Sequence, residues 1–556
     1  MFKQNIRLYC ISFFLFAFLL AVISRLVYLQ VEQIEFLQAQ GNARTVRTMP
    51  IEAYRGMITD RRGTPVAMST PMYHLWIDPK RFNPDAKQIA SLAGALSVTP
   101  TYIQSRQSQS EKQFVYLKKE IAPSLRDKVM KLKVKGLYDE KIFKRYYPAA
   151  ESIAQLIGFT DSQDKGQSGI ELAYNQLLAP KRGKKQIIED AQGRLIEDLA
   201  TLAPPIPGKD VQLTVDLRLQ SHSMHVMQQA VKETGANWGL FLILDAETNE
   251  LLATGSYPSF NPNQRQDRAG KNTRLKAFTD QFEPGSTAKP FALLSAMMHP
   301  DFNKTQVIHT SPGYRRVQHN IVRDVHNFGD LTIPDVLKKS SNIAISQVTL
   351  DYPANDLRNM YQLFGLGTHL LSVFPGEVMG YIPYRMADKS FVLATFSMGY
   401  GMTVTPIQLA NAYGTLARKG LQKPLIMLRH AEQQSNEIAQ ITPKQTTQEL
   451  FEYLTHVVSP TGSGRLAMIP QYQTAGKTGT VRIVGADGYD KNRHLSLFAG
   501  VTPASRPKFV ILIMVDEPKT QYYGGAVAAP LYKKIASKAL QLYQILPDQP
   551  TDIQDE

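Results

Sequence analysis

The feature that most limits how this chain can fold stands at its start. Residues 8–24, LYCISFFLFAFLLAVIS, carry no charge, and the apolar character continues past Arg25 to Val31. A run of about 24 residues is long enough for a helix to cross a bilayer, where backbone polar groups must be satisfied inside the segment. A cleavable signal has a shorter apolar core, roughly 7–15 residues, ending in a small-residue cleavage site. No convincing Ala-x-Ala pattern closes this run, so residues 8–31 are expected to be an uncleaved anchor. Lys3 and Arg7 keep the short tail, residues 1–7, on the cytoplasmic side by the positive-inside rule. The chain has no second run of that length, so everything after the anchor is expected outside the cytoplasm. Arg25 can snorkel to the outer interface. Cys10 is the only cysteine and lies within the run. No intramolecular disulfide can form, and this thiol reads as a small apolar filler.

That placement bears on the formal net charge of +15. Such a charge suits an anionic partner, whether nucleic acid, a membrane surface or an acidic polymer. The basic residues are spread along the chain, so an inert basic surface weighs equally. A location beyond the inner membrane removes nucleic acid as an expected partner. No Gly-x-x-x-x-Gly-Lys phosphate loop occurs either. The pair His222 and His225 in HSMH lacks a further ligand at metal spacing and reads as a helix face, so no metal site is expected.

A length of 556 residues calls for two or more domains. Residues 36–205 are mixed and irregular, with TDRRGTP reading as a turn between two short extended segments. APPIPGKD (203–210) is the best linker. From 206 to 546 the pattern becomes regular. DVQLTVD reads as a strand, LRLQSHSMHVMQQAVKET as a helix, and WGLFLILDAETNELLATGS as an antiparallel hairpin. HLSLFAGV and KFVILIMVDEP read as two more strands, the second buried on both faces. APLYKKIASKALQLYQIL reads as a closing helix with Pro530 in its first turn. Strands, then helices, then strands imply an α+β domain with an antiparallel sheet between helical layers. The last ten residues, 547–556, are acidic and polar, and are expected to be disordered.

Three short motifs carry chemistry. In EPGSTAKP, Ser286 precedes Lys289 by three residues, a spacing that places both on one face of a helix start. A serine hydroxyl needs a base to become a good nucleophile, and a lysine serves once burial lowers its pKa. Ser-x-x-Lys alone means little, since Ser162/Lys165 and Ser505/Lys508 share it. KSSNIA then supplies Ser340 and Asn342, which share a side if that segment is extended. AGKTGTVRI supplies Lys477, Thr478, Gly479 and Thr480, a cation and hydroxyls leading into a strand, with a glycine where something approaches the backbone closely.

Ser-x-x-Lys, Ser-x-Asn and Lys-Thr-Gly in this order are the signature of penicillin-binding proteins and class A β-lactamases. Across nearly its whole length the chain resembles the class B penicillin-binding proteins, in particular the septal peptidoglycan D,D-transpeptidases. The resemblance is carried by RLVYLQV, RGMITDRRGTPVAM, KRYYPAAESIAQLIGFT, GIELAYNQLL, SYPSFNPN, DQFEPGSTAKP, LKKSSNIA, FSMGYGMTVTPIQLANAYGTLA, AGKTGT and YYGGAVAAPLY. No Glu-x-x-Leu-Asn deacylation motif appears, which separates it from β-lactamases. Residues 461–468, TGSGRLAM, depart from the glycine-rich form of the family.

The resemblance implies that Ser286 is acylated by a stem peptide ending in D-Ala-D-Ala, with Lys289 as base, Ser340 as proton relay and Asn342 holding Lys289 and a substrate amide. It implies that Lys477, Thr478 and Thr480 bind the terminal carboxylate, with Gly479 between them. The N–H groups of Ser286 and Thr480 would form the oxyanion hole. It implies β-lactams as inhibitors and no metal or cofactor. It further implies a non-catalytic pedestal over 36–205, with Arg55, Gly56, Asp60 and Arg61 in a structural role, and division partners that include a membrane glycosyltransferase. An elongation transpeptidase, a D,D-carboxypeptidase, and a β-lactam sensor or non-catalytic scaffold stand as alternatives.

Overall fold

The structure is a computed structural model that describes residues 2–109, 111–112, 114–189, 195–370, 374–429, 438–485 and 488–550. Its first helix, Phe2–Val27, runs into a π turn, Tyr28–Glu32. Together they contain one apolar stretch, Ile6–Glu32, long enough to cross a membrane.

The chain divides into two compact units that interleave in sequence. The first contains Met1–Tyr54, Pro71–Phe143 and Pro180–Gly208, and the second Arg55–Thr70, Lys144–Ala179 and Lys209–Glu556. Within the range 36–205, Arg55–Thr70 and Lys144–Ala179 group with the residues from Lys209 onward. In the first unit, Val46–Ile51, Gly183–Glu189 and Leu195–Ala203 form a three-stranded antiparallel sheet. A separate core gathers Leu75, Ile77, Leu92, Leu96, Ile103 and Leu117.

A buried ion cluster ties the two early segments of the second unit to each other. Arg55 Nε meets Glu171 Oε2 at 2.6 Å, and Arg145 Nε meets Glu171 Oε1 at 2.7 Å. The two guanidinium groups also donate to the Glu171 and Gly56 carbonyls, at 2.8 and 2.7 Å. A buried carboxylate shared by two arginines is tolerated only when its lone pairs are filled in this way. Asp60, in the TDRRGTP turn, accepts from the N–H groups of Arg62 and Thr64 and also from Leu217 N–H. The turn thereby caps the helix that opens the regular region.

That region is built on a five-stranded antiparallel sheet. The elements of this region that frame the site are, in chain order, α1 (Leu217–Thr234), β1 (Trp238–Asp245), β2 (Leu251–Tyr257), α2 (Lys289–Met297), α3 (Asn342–Leu350), α4 (Pro406–Ala417), β3 (Ala475–Gly485), β4 (Gly488–Thr502), β5 (Phe509–Asp516) and α5 (Gly524–Leu542). The strand order is β2-β1-β5-β4-β3, with β3 at the edge. Period-two alternation sorts the two faces. Leu240, Leu242 and Leu244 of β1 face the core that contains α2 and α4, while Phe241 and Ile243 face α1 and α5. All of β5 is buried, as its continuous apolar run requires.

Three local readings are corrected. DVQLTVD is a strand only at Val211–Gln212, parallel to Ile58–Thr59; Leu213 N–H still donates to Thr59 O at 2.9 Å but Leu213 also bridges Leu428, and Thr214 N–H donates to Met427 O. The closing helix begins at Gly524, which puts Pro530 inside it. The early start is fixed by Gly524, whose N–H donates to Thr480 Oγ1 at 2.9 Å. A Cβ at Gly524 would stand 2.1 Å from the Gly479 carbonyl oxygen, so only glycine lets the helix begin there. The tail expected to be disordered from residue 547 is held at Asp548, which accepts from Gln473 N–H and Ser505 Oγ; residues 551–556 lie outside the described residues.

Candidate active site

Ser286 lies in a single 3₁₀ turn, Gly285–Ala288, that leads directly into α2. The sequence dictates this tightening. Pro290 has no N–H to give the Ser286 carbonyl, so that carbonyl takes the Lys289 N–H one residue earlier. Gly285 is left-handed, with φ +52°, and its N–H donates to Gly399 O at 3.1 Å. Gly399 is left-handed too, and a Cβ there would lie 2.2 Å from Gly285 O. Two glycines thus let two loops touch behind the serine. Tyr413 Oη of α4 donates to Thr287 O at 2.8 Å and closes the turn from below. All nine residues of α2 are buried.

Lys289 Nζ reaches the KSSNIA segment. It donates to the Ser340 carbonyl at 2.6 Å and to Asn342 Oδ1 at 2.7 Å, with Ser340 Oγ at 3.3 Å. Lys477 Nζ of β3 approaches the same hydroxyl, Ser340 Oγ, at 2.7 Å, and also the Thr478 carbonyl at 3.1 Å. One serine hydroxyl therefore sits between two lysines, both 0% exposed. Burial brings the Lys289 ammonium down from 10.5 to about 7, against the opposing charge of Asp324. Burial, followed by the neighbouring Lys289, pushes Lys477 well below its ordinary value.

The chemistry of such an amine follows from its hydrogen count. A neutral Lys289 has two N–H groups and one lone pair. The Ser340 carbonyl and Asn342 Oδ1 only accept, and together they use both N–H groups. The lone pair is left for a hydroxyl, which is the state a general base needs. Ser286 Oγ itself makes no hydrogen bond among the described residues, and its link to Lys289 runs through the turn backbone.

Apart from Ser286, the expected residues fall into three groups. Lys289, Ser340, Asn342 and Lys477 are joined by direct hydrogen bonds. Gly479 lets β3 lie against the nucleophile turn, since a Cβ there would meet the Thr287 methyl at 3.0 Å. Thr478 and Thr480 bond elsewhere, to Ser463 Oγ at 3.3 Å and to Gly524 N–H. Thr480 Oγ1 accepts that N–H, which leaves its own O–H able to donate.

The segment around Ser340 is not extended. Ser340 is left-handed, with φ +57°, and Ser341 is the N-cap of α3, its side chain accepting from Ala344 N–H. A non-glycine residue in this conformation is strained, and such strain gathers at functional sites. Sequence reading passed over Asp324, which belongs to no recognised motif, and Ser463, which lies in the loop whose sequence departs from the family form. The other two Ser-x-x-Lys matches are accounted for by structure. Lys165 O closes a turn on Asp161 N–H, Ser505 bonds Asp548, and Lys508 pairs with Asp245 at 2.8 Å. Among the described residues no group of three His, Cys, Asp or Glu could hold a metal ion.

Comparison with known proteins agrees with this architecture. Residues 239–537 match the penicillin binding protein transpeptidase domain, and residues 50–213 the penicillin-binding protein dimerisation domain. The chain is 35% identical to the peptidoglycan D,D-transpeptidase FtsI of Escherichia coli, over 95% of this chain and 90% of that one. It is 34% identical to FtsI of Buchnera aphidicola, over 98% and 96%. Penicillin-binding protein 2X of Streptococcus thermophilus shares the fold at a TM-score of 0.77 and 20% identity, covering 89% of this chain and 80% of that one. The chain belongs to the penicillin-binding protein transpeptidase family, with the two-domain layout of its class B members.

Proposed function

We propose that this protein is a serine-type peptidoglycan D,D-transpeptidase of the division septum, anchored in the inner membrane by its N-terminal helix with the catalytic unit in the periplasm. The observation that carries the chemistry is the buried Lys289 amine, whose N–H groups are occupied by acceptors and whose proton affinity is brought near neutrality. The relatives named FtsI support the septal role.

In this reading Lys289 takes the proton of Ser286 Oγ as the oxygen attacks the carbonyl between the two terminal D-alanines of a stem peptide. The developing oxyanion is met by the N–H groups of Ser286 and Thr480, donors already fixed by a turn and a strand. The C–N bond breaks, and the leaving D-alanine takes a proton through Ser340 Oγ, which Lys477 touches from the other side. An amine on a neighbouring stem peptide then attacks the acyl carbonyl, the C–O bond to Ser286 Oγ breaks, and the proton of the amine returns along the same path to Ser286 Oγ. Lys477, Thr478 and Thr480 receive the terminal carboxylate of the donor. A carboxylate arriving beside a desolvated lysine restores the ion partner it lacks, so binding and charging of Lys477 reinforce one another. β-Lactams acylate Ser286 by the same route and stay, and the division partners, including a membrane glycosyltransferase, engage the anchor.

Depletion in growing cells tests the cellular role. Filaments with blocked septa are expected, and rounded cells would move the assignment to elongation. Complementation by Ser286→Ala with normal cross-linking would move it to a non-catalytic scaffold.

A further inference from the structure

Asn342 is gripped from two sides by one short piece of chain. Strand Asn320–Arg323 forms a hairpin with Tyr314–Val317. As the chain leaves it, Asp324 N–H returns to Gly313 O at 3.2 Å, which fixes the aspartate relative to the hairpin. Asp324 Oδ1 accepts from the backbone N–H of Asn342 and, at 3.1 Å, from that of Ile343. Its Oδ2 accepts from Ser341 Oγ at 2.6 Å, and Ser341 Oγ accepts from Ala344 N–H at 2.9 Å. The first three N–H groups of α3 are thereby all met by side chains, with a carboxylate at the end of the helix where negative charge is favoured. The preceding residue completes the grip, as the Arg323 carbonyl accepts from Asn342 Nδ2 at 2.9 Å. With its amide nitrogen held there, Asn342 can only turn Oδ1 toward Lys289.

We propose that Asp324 is a positioning residue for acyl transfer: it fixes the Ser340–Asn342 turn against the Lys289 amine and places a carboxylate charge beside it. The left-handed Ser340 needs such an anchor, because nothing in a free Lys-Ser-Ser-Asn segment would hold that conformation. The charge acts in the opposite sense to burial, keeping the Lys289 proton from leaving too readily. Ser340 and Asn342 of the α3 turn touch Lys289 Nζ, with Asp324 of the hairpin behind Asn342 and Lys477 of β3 across Ser340 Oγ. Asp324 and Lys477 are the charged or titratable ones among them.

The inference rests on Lys289 being the base, and the test separates the two. Full-length protein in detergent is reacted with a fluorescent penicillin across pH 5–9, comparing wild type, Ser286→Ala, Asp324→Asn and Asp324→Ala. Asp324→Asn keeps the size and an accepting oxygen but loses the charge. Its acid limb is expected to move down by ~0.5–1 pH unit, with the high-pH rate within about threefold of wild type. Asp324→Ala is expected to lose about tenfold or more at every pH, since the turn is released. An acid limb of Asp324→Asn that overlays the wild type overturns the proposal while leaving Lys289 as base. An Asp324→Asn rate as low as that of Asp324→Ala at high pH overturns it as well. Labelling that persists in Ser286→Ala overturns the nucleophile reading and this inference together.

Discussion

Arg55, Arg145 and Glu171 are about as deeply buried as Lys289 and Lys477, in the same unit of the molecule, yet the two clusters follow opposite rules. In the first, one carboxylate lies between two guanidinium groups, and each charge has a partner at 2.6–2.7 Å. In the second, two amines share a serine hydroxyl, and neither makes an ion pair. Satisfied opposite charges hold segments together. Buried amines with no anion paired to them do the reverse: burial first, and for Lys477 the neighbouring Lys289 next, loosens their hold on a proton. Two buried amines with a weakened hold on their protons beside a serine turn make a reactive site, and the stability they cost marks its place.

The largest expected effect tests the second cluster. Lys289→Met removes the buried amine and keeps much of its volume. Acylation by a penicillin should fall about 10³–10⁴-fold, with the urea midpoint unchanged or raised at pH 7. The pH dependence of stability sharpens the point. The folded protein holds the Lys289 proton less tightly than the unfolded chain, at about 7 against 10.5. The unfolded state therefore binds more protons between those values, and stability should climb as pH rises through that window. Below about pH 7 the full burden of the buried charge remains. Urea midpoints at pH 7 and pH 10 should differ less in Lys289→Met than in wild type.

The first cluster should break in the other way. Glu171→Gln leaves two guanidinium groups without their anion and should cost about 3–5 kcal/mol, read as a drop in urea midpoint. The acylation rate constant of the molecules that stay folded should hardly change. A Glu171→Gln protein of normal stability and lost activity would erase the contrast between the clusters.

Two smaller effects probe how the nucleophile turn is held. Gly399→Ala forces a Cβ toward Gly285 O at a left-handed residue. A displacement of the turn by a fraction of an ångström should slow acylation by about 10²-fold. Tyr413→Phe deletes the bond to Thr287 O and should cost about 1 kcal/mol, with acylation within a few-fold of wild type.

The sequence was most legible where chemistry needs a fixed spacing or burial a fixed period. The three motifs pointed to Lys289, Ser340, Asn342 and Lys477, and alternating or continuous apolar runs marked β1, β2 and β5. It was least legible where one residue's conformation depends on a distant partner. Nothing near KSSNIA announces that Ser340 is left-handed, because Asp324 and Arg323 hold that turn from another hairpin. Pro530 suits a helix start, and only the Gly524–Thr480 contact moves that start upstream. The interleaved units were hidden for the same reason, since Arg55 finds Glu171 116 residues later. Thr478 and Thr480 were expected together at the substrate and are seen bonded to Ser463 and Gly524, partners that no local pattern names.

The central claim is that Ser286 is the nucleophile and Lys289 its base. Intact-mass spectrometry after brief exposure to benzylpenicillin at pH 8 tests it most directly, with peptide mapping of any adduct. The account requires one penicilloyl group per chain on the peptide containing Ser286, no adduct in Ser286→Ala, and a trace at most in Lys289→Met. An adduct on any other residue, or full acylation of Lys289→Met, would contradict it.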